Sequence, residues 1–410
     1  MKFPVLSLLV MLFMPLSIYA QSAFTVSGKV SDAETKEPIA YATVAIENEA
    51  FGTISNLGGE FDFHVPEVYK DRIIVISSLG YVDYKVDLGN TDITKDLILE
   101  LQPSKILLDE VLISEELSAG ELLRIAILKI DYNYPMAPFE MDGFYRDTKS
   151  VNGEYVSLLE AAVKIFDKNY QEPMNKSNLR ERVSLVEVRR TIDYDNSLKK
   201  YFRQYNMLED LLLENYVKYR TFNQEKLFYG KLKRKKVPGY NNKPINLVHL
   251  EEKGYSLKIY IDGDFGIHRI TFILGDGEKP IYVEKKSGKL RCDVMYMNKQ
   301  IEFQKYSDKL YLKYIASNHQ NEWVNRKTNE LKLITTRAQA LLVNQINTAN
   351  PKWVKNSRKM KRFGLQYQHK AYNKSFWDNY NTIKEMPLDE KIRADLEKKI
   401  SLEEQFKSFE

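Results

Sequence analysis

The sequence predicts a mainly β protein with α-helices: an N-terminal seven-stranded β-sandwich, followed by a larger α+β domain with an antiparallel meander. Residues 24–101 alternate apolar and polar side chains with a period of two between short turns. This alternation, without a helical stretch, is typical of a small sandwich. After Pro244 a second series of short strands follows, separated by turns such as Asp262-Gly263-Asp264. Sequential strands joined by short turns form antiparallel meanders.

The patterns divide the 410 residues into four segments. We expect a signal peptide at 1–20, the sandwich at 21–103, a linker at 104–116 and the α+β domain, of unknown function, at 117–410. Lys2 precedes an apolar run of twelve residues, and the small residue Ala20 precedes the expected cleavage site. This run is shorter than the roughly twenty residues that span a bilayer. We therefore expect an exported protein, in the periplasm or associated with the outer membrane, without a transmembrane segment after cleavage.

Charge is divided unevenly along the chain. Residues 21–115 contain 7 basic and 17 acidic side chains, whereas the rest of the chain from residue 116 contains 53 basic and 39 acidic side chains. Such asymmetry indicates a domain boundary and predicts that any anionic partner contacts the second half of the chain. For an exported chain, we expect the partner to be an envelope component (a glycan, a lipid head group or a protein) rather than a nucleic acid.

Several strings in the first domain carry a family resemblance. They are Ser27-Gly28-Lys29-Val30-Ser31-Asp32, Pro38-Ile39-Ala40-Tyr41-Ala42-Thr43-Val44, Gly52-Thr53-Ile54-Ser55-Asn56, Gly59-Glu60-Phe61 and Ser78-Leu79-Gly80-Tyr81. In this order they resemble the carboxypeptidase regulatory-like domain, a transthyretin-like sandwich, over residues 24–102. The resemblance implies a scaffold or contact module rather than a catalytic one.

Two weaker resemblances concern the second domain. Residues 126–164 resemble uncharacterised exported bacterial envelope proteins that carry the same front domain, and this brings no activity with it. The pattern Tyr260-Ile261-Asp262, continued by Phe265-Gly266-Ile267-His268-Arg269-Ile270, is similar to lipoprotein carriers of the LolA type, whose half-barrel takes acyl chains. The alternative is an antiparallel sheet simply packed against helices, since many functions share such sheets.

The second domain also contains helix signals. Ser118 and Glu121 form a capping box that predicts a helix to about Asp131, and Ser401 and Glu404 form another. Apolar spacing predicts one helix over 197–219, and Pro387 suits the first turn of a C-terminal helix. The basic run at 231–236 is predicted to be a loop. We expect strands at 183–192, 246–250, 255–261, 267–274, 281–284, 290–296, 301–303, 310–315 and 331–341.

No catalytic, cofactor-binding or metal-ligating set emerges from the sequence, and we expect no cofactor. None of the five histidines is within four residues of another. His64 and Glu67 have the spacing of a carboxypeptidase zinc site, but a protein zinc site needs a third ligand. We therefore attribute this spacing to coincidence. Cys292 is predicted to be a small buried residue of a strand.

One basic cluster is a candidate contact with an anionic surface. It consists of Lys352, Lys355, Arg358, Lys359, Lys361 and Arg362, with no acidic residue among them. Each such charge near an anionic membrane contributes about 1 kcal/mol. The alternative is a solvated surface.

These observations favour a non-catalytic exported envelope protein that acts as a binding or scaffold module through its carboxypeptidase regulatory-like domain. The first alternative is a periplasmic hydrolase of glycan or peptide with its site in the C-terminal domain. The second is a lipid or lipoprotein carrier with a LolA-like half-barrel.

Overall fold

The computed structural model describes residues 23–105, 117–192, 196–202, 207–223, 232–275, 278–352, 364–368, 370–384 and 387–408. The expected signal peptide at 1–20 and most of the expected linker lie outside the described residues. The chain is mostly β, with 49% of it in strands and 15% in helices. The predicted fold class is therefore confirmed.

The N-terminal part is a β-sandwich of two sheets. The strands are β1 (Ala23–Asp32), β2 (Thr43–Ile46), β3 (Gly52–Ile54), β4 (Glu60–Pro66), β5 (Ile73–Ser77), β6 (Tyr84–Asp87) and β7 (Leu97–Leu101). One sheet has the order β4-β1-β7, and the other has the order β3-β2-β5-β6. β1 pairs with β7 in parallel and with β4 in antiparallel fashion. This part of the chain is called the sandwich below.

The turn before β4 requires glycine. Asn56 accepts hydrogen bonds from the backbone N–H groups of Gly58 and Glu60 through Oδ1, at 2.8 and 2.9 Å. Gly59 has φ +78°, and a Cβ there would lie 2.3 Å from the carbonyl oxygen of Val30. Glycine alone accepts such a conformation without strain. The turn at 56–59 therefore places β4 beside β1.

The remaining strands form one large antiparallel sheet. Its strands are β8 (Phe139–Val151), β9 (Glu154–Asp167), β10 (Arg182–Arg190), β11 (Lys233–Pro238), β12 (Pro244–Glu252), β13 (Tyr255–Ile261), β14 (Ile267–Leu274), β15 (Tyr282–Ser287), β16 (Leu290–Tyr306), β17 (Lys309–Asn325) and β18 (Leu331–Asn347). In the described part of the chain the strand order is β10-β9-β8-β18-β17-β16-β14-β13-β12-β11, and β15 also pairs with β16. Cys292 is buried on β16, as predicted.

Short helices pack on this sheet and at the C-terminal end. They are α1 (Ala119–Leu128), α2 (Ile130–Asn133), α3 (Met207–Leu213), α4 (Tyr216–Tyr219), α5 (Lys374–Trp377), α6 (Pro387–Leu396) and α7 (Leu402–Lys407), with 3-10 turns at Glu67–Tyr69, Asn196–Tyr201, Thr221–Asn223 and Leu365–Tyr367. Both predicted capping boxes, at Ser118 and Ser401, are present. Leu122, Leu123 and Leu212 contribute to the core between the large sheet and α1–α4.

Four predictions for this domain were wrong. In place of the single helix expected at 197–219, the structure has a 3-10 turn, α3 and α4. The side chain of Asn215 accepts a hydrogen bond from the N–H of Lys218, and α4 therefore starts as a separate helix. The strands expected at 290–296 and 301–303 are one strand, β16. β8 and β9 were not expected. The run at 231–236 was expected to be a loop, but Lys233–Pro238 forms the edge strand β11, where lysines are tolerated because only one side of the strand pairs.

Hydrogen bonds attach the sandwich to the rest of the chain at three places. Phe51 pairs with Gln345 of β18, and the N–H of Ile346 donates to the carbonyl of Ala50 at 2.9 Å. In the turn between β11 and β12, the N–H of Asn241 donates to the carbonyl of Tyr81 at 3.1 Å. The side chain of Asn241 also accepts from the N–H of Asp83 at 2.8 Å.

The third contact covers the free edge of β4. Asn381 accepts from the N–H of His64 at 2.8 Å and donates to the His64 carbonyl at 3.1 Å. Lys384 forms an ion pair of 2.9 Å with Asp62. An exposed strand edge is a template for unwanted pairing, so this C-terminal segment protects the sandwich as well as attaching it.

Candidate binding cleft

A cleft of about 620 Å³ separates the sandwich from the large sheet. One wall is the outer face of the β3-β2-β5-β6 sheet, where Thr43, Val75 and Ser77 alternate with the core residues. The other wall comes from β14, β16, β17 and the β16–β17 turn. The volume of the cleft lies within the range of roughly 300–1,000 Å³ that is usual for small-molecule sites. The polar and aromatic lining residues include Glu47, Asn48, Ser77, Asp83, Lys85, Tyr240, His268, Glu302, Gln304, Tyr306 and Lys313.

A β-bulge directs Lys313 into this cleft. Glu302 pairs with Tyr314 and Phe303 pairs with Leu312, so Lys313 is the extra residue of β17. Leu312 and Ile315 belong to the helix-facing core. Tyr314 and Lys313 lie on the sandwich side, where Tyr314 stacks on Tyr41 at 5.1 Å between ring centroids. Bulges often redirect side chains beside functional sites.

Lys313 is buried, with 5% of its surface exposed. Its Nζ donates a hydrogen bond of 3.1 Å to the carbonyl of Val343. Burial lowers the pKa of Lys313 to about 7, and the carboxylate of Glu302 acts in the opposite direction without restoring the usual value. Burial therefore favours the uncharged form of this amine.

The neighbouring groups are held by polar contacts. His268 Nε2 lies 2.7 Å from Asp262 Oδ2, and the same carboxylate accepts from the N–H of Gly266 at 2.7 Å. Burial alone would raise the pKa of Asp262, but these hydrogen bonds lower it below its usual value. Tyr240 lies beside His268, with ring centroids 5.6 Å apart, and burial raises the pKa of Tyr240 to about 12.

An ion pair forms the border with a second space. Arg269 Nε and Glu302 Oε1 are 2.9 Å apart, and Glu302 lines the cleft. Arg269 lines the adjoining space of about 460 Å³, together with Lys235, His249 and Lys258 on the outer strands. Burial and the neighbouring Lys235 lower the pKa of His249. Basic residues therefore cluster on the sandwich side of β11–β14.

A third space, of about 340 Å³, lies between β8–β10 and helices α6 and α7. Glu160 lies at its base between two guanidinium groups, with Arg146 Nε and Arg189 Nη2 each 2.6 Å from its carboxylate. Burial alone would raise the pKa of Glu160, but Arg189 and Arg146 lower it to about 2. A buried carboxylate held by two guanidinium groups is typical of a structural network.

The helix-facing side of the large sheet contains a buried ionic cluster. Lys218 of α4 contacts Asp167 of β9 and lies 3.5 Å from Glu181, and all three side chains are buried. Tyr219 donates to Glu181 at 2.5 Å through its hydroxyl. Burial raises the pKa of Asp167, against the effect of Lys218. None of the three spaces described above is lined by this cluster, so we regard it as structural.

The residues predicted from sequence lie elsewhere. Lys352 is exposed, and its N–H donates to Glu140 at 3.3 Å. The other five members of the basic cluster, Lys355, Arg358, Lys359, Lys361 and Arg362, lie outside the described residues. His64 Nδ1 lies 2.8 Å from Thr25 Oγ1. Among the described residues, no group of three or more His, Cys, Asp or Glu side chains is placed to hold a metal ion.

Sequence reasoning missed the cleft. One sequence signal of the cleft was Lys313, which interrupts the apolar string Leu310-Tyr311-Leu312-Lys313-Tyr314-Ile315. In a regular strand, Lys313 and its neighbour Tyr314 would lie on opposite faces. The partners Glu302, His268 and Val343 are distant in sequence. No spacing rule connects them.

Comparison with known families classifies the N-terminal part. Its fold is that of a small β-sandwich module, and residues 26–113 match the family described as CarboxypepD_reg-like domain. The chain therefore carries a carboxypeptidase regulatory-like domain, as the resemblance of its sequence predicted. The match covers the sandwich and the segment that follows it, and does not extend over the large sheet.

Two solved structures show limited similarity. One, described as lipid-protein interactions in lipovitellin, is 11% identical with a TM-score of 0.23, and covers 59% of this chain and 28% of that chain. The other, a protein of unknown function from Bacteroides fragilis NCTC 9343, is 8% identical with a TM-score of 0.16, and covers 80% of this chain and 99% of that chain. A search of curated proteins found no match. Within the described part of the chain, no helix has the length and apolar character needed to cross a membrane.

The position of Glu160 predicts a dependence of stability on acid pH. Because its folded pKa lies below the unfolded value of 4.5, Glu160 stabilises the fold above that value, and this contribution is lost as the pH falls toward 2. The shift corresponds to a free energy on the order of 3 kcal/mol. The difference in unfolding free energy between wild type and Glu160→Gln, measured by urea denaturation, should therefore decrease between pH 5 and pH 2.5.

The matched control is Glu403→Gln on α7, whose partner Lys407 is exposed to water. Its difference from wild type should change much less over the same pH range, because solvent screens an exposed pair. Equal pH dependence for the two variants would contradict the assignment to Glu160.

Proposed function

We propose that this chain is an exported, non-catalytic protein of the cell envelope that binds a small polar ligand in the cleft between the sandwich and the large sheet. The observation that carries the proposal is the cleft itself, which both parts of the chain line. The carboxypeptidase regulatory-like domain supports a binding or scaffold role because it supplies one wall.

The attachment of the sandwich supports a preformed site. Contacts at Phe51, Tyr81 and His64 each join the backbone of the sandwich to another part of the chain. Ligand sites that are formed before binding avoid the entropy cost of ordering their walls. The two walls are thus held at a fixed separation.

The lining favours a carbohydrate as the ligand. Tyr240 and Tyr306 offer flat apolar faces with polar tips, and Asn48, Ser77 and Gln304 offer donors and acceptors between them. A sugar ring has apolar faces and hydroxyl groups at its edge, so it matches this mixture. A lipid tail does not, since the acidic and basic side chains of Glu47 and Lys85 face the same space.

Filling the cleft should abolish binding. Ser77 is half-buried on the cleft side of β5, so Ser77→Trp should reduce the affinity for any sugar that binds there at least tenfold. Binding is measured with the mature chain on a glycan array, followed by calorimetric titration of each sugar found.

Ile98→Trp is the control, because Ile98 is 78% exposed on β7 and does not line the cleft. It should bind sugars as the wild type does. Absence of any bound sugar on the array, or equal affinity of the wild type and Ser77→Trp, would refute the proposal.

Export is the second part of the proposal, supported by the pattern of residues 1–20. Protein recovered from the envelope fraction of a producing bacterium should begin at Gln21. N-terminal sequencing after fractionation checks this. Recovery of the chain in the cytosol with Met1 in place would contradict export.

The basic cluster is proposed as a contact with anionic lipid. Replacing Arg358, Lys359, Lys361 and Arg362 by serine should reduce co-sedimentation of the protein with vesicles of phosphatidylglycerol and phosphatidylcholine, and raised salt should do the same to the wild type. Vesicles of phosphatidylcholine alone are the control. An unchanged yield with the fourfold variant would dismiss this contact.

A further inference from the structure

We infer that Lys313 is a covalent anchor in the cleft: its amine forms a reversible Schiff base with a small hydroxylated aldehyde, such as the open-chain form of a reducing sugar. This inference rests on the proposed binding function and specifies the chemistry of the same site.

The first argument concerns the ion-pair partners of the buried lysines. Four lysines are buried in the described residues: Lys149, Lys218, Lys299 and Lys313. The first three have carboxylate partners, which are Asp147, Asp167 and Glu214 respectively. In the described part of the chain, Lys313 has no carboxylate within 4 Å of Nζ, and its hydrogen bond goes to the Val343 carbonyl.

The missing ion pair affects the chemistry of the amine. A buried ammonium without a counter-ion is costly, so the neutral form is favoured. The pKa of about 7 is consistent with this geometry. Lysines that react with carbonyl groups are activated in this way, because only the neutral amine has a free electron pair.

The second argument is access. Lys313 is the extra residue of a bulge, and it lines the cleft together with His268 and Glu302. The opposite wall has the half-buried Ser77 and Thr43 and the charged pair Lys85 and Glu47, whose atoms are 2.5 Å apart. Hydroxyl groups of a ligand can therefore be bound while its carbonyl carbon lies at Nζ.

The reaction balances without another reactant. The Nζ electron pair attacks the carbonyl carbon, and one proton moves from nitrogen to oxygen to give a carbinolamine. The hydroxyl group then leaves with the second nitrogen proton as water. One amine and one aldehyde thus give one imine and one water, and hydrolysis reverses the reaction.

The test uses D-glyceraldehyde as the probe with the full mature chain at pH 7 and sodium cyanoborohydride, which reduces an imine to a stable secondary amine. Peptide mass mapping should show modification of Lys313 at least tenfold faster than of Lys95, whose side chain is 82% exposed. Lys313→Arg keeps a hydrogen-bond donor for the Val343 carbonyl but should show no adduct in this peptide. Modification of Lys313 at the rate of Lys95 or below would overturn the inference.

Ser77→Trp separates this inference from the proposed function. It should slow modification of Lys313 and leave Lys95 unaffected, because the probe enters through the cleft. Equal modification of Lys313 in this variant would refute access through the cleft. If sugars bind the wild type but no adduct forms, the Schiff base is wrong and the binding function stands. If neither binding nor adduct is found, both fail.

Discussion

The attachment of the sandwich to the large sheet is the constraint on which the cleft depends. Phe51 and Asn241 make this attachment through backbone groups, and the side-chain amide of Asn381 makes it to the backbone of His64. A small apolar cluster adds to it, since Ile54 of the sandwich packs with Phe144 and Trp377. Domains that share only a polar interface usually move relative to one another. Here the hydrogen bonds and the apolar contacts lie at separate places. They therefore fix the sandwich, and with it one wall of the cleft, relative to the large sheet that forms the other wall.

Two irregularities of the large sheet determine what the cleft contains. The bulge at Lys313 places two successive side chains on the sandwich side of β17, and the bulge at Asn344 does the same to β18. Lys313 then reaches the carbonyl of Val343, while Asn344 donates to the carbonyl of Asn381 at 2.7 Å. A regular sheet would have pointed one residue of each pair into the helix-facing core. The two bulges therefore place the amine of Lys313 in the cleft and allow Asn344 to hold the segment that covers β4.

The sandwich could be predicted from sequence because its strands are short, alternate strictly and are joined by local turns such as that at Gly59. The large sheet was only partly predictable. Asn152-Gly153, both at positive φ, is a strong hairpin signal that defines β8 and β9 and went unused. The polar residues between Met297 and Ile301 predicted a break between two strands. In the structure these residues pair with both neighbouring strands, so β16 is continuous. Apart from the interruption of an apolar string at Lys313, the cleft could not be predicted, because its chemistry depends on pairs distant in sequence.

The order of strands also has a consequence for the way the polypeptide reaches its native state. β1 is central in its sheet but pairs with β7, and β8 pairs with β18, some two hundred positions later. Neither sheet can close until its last strand has emerged, so folding is expected to be slow and dominated by distant contacts. During that interval the unfinished edges of long strands are available to other chains. A chaperone that covers these edges until the last strand is in place would prevent such pairing.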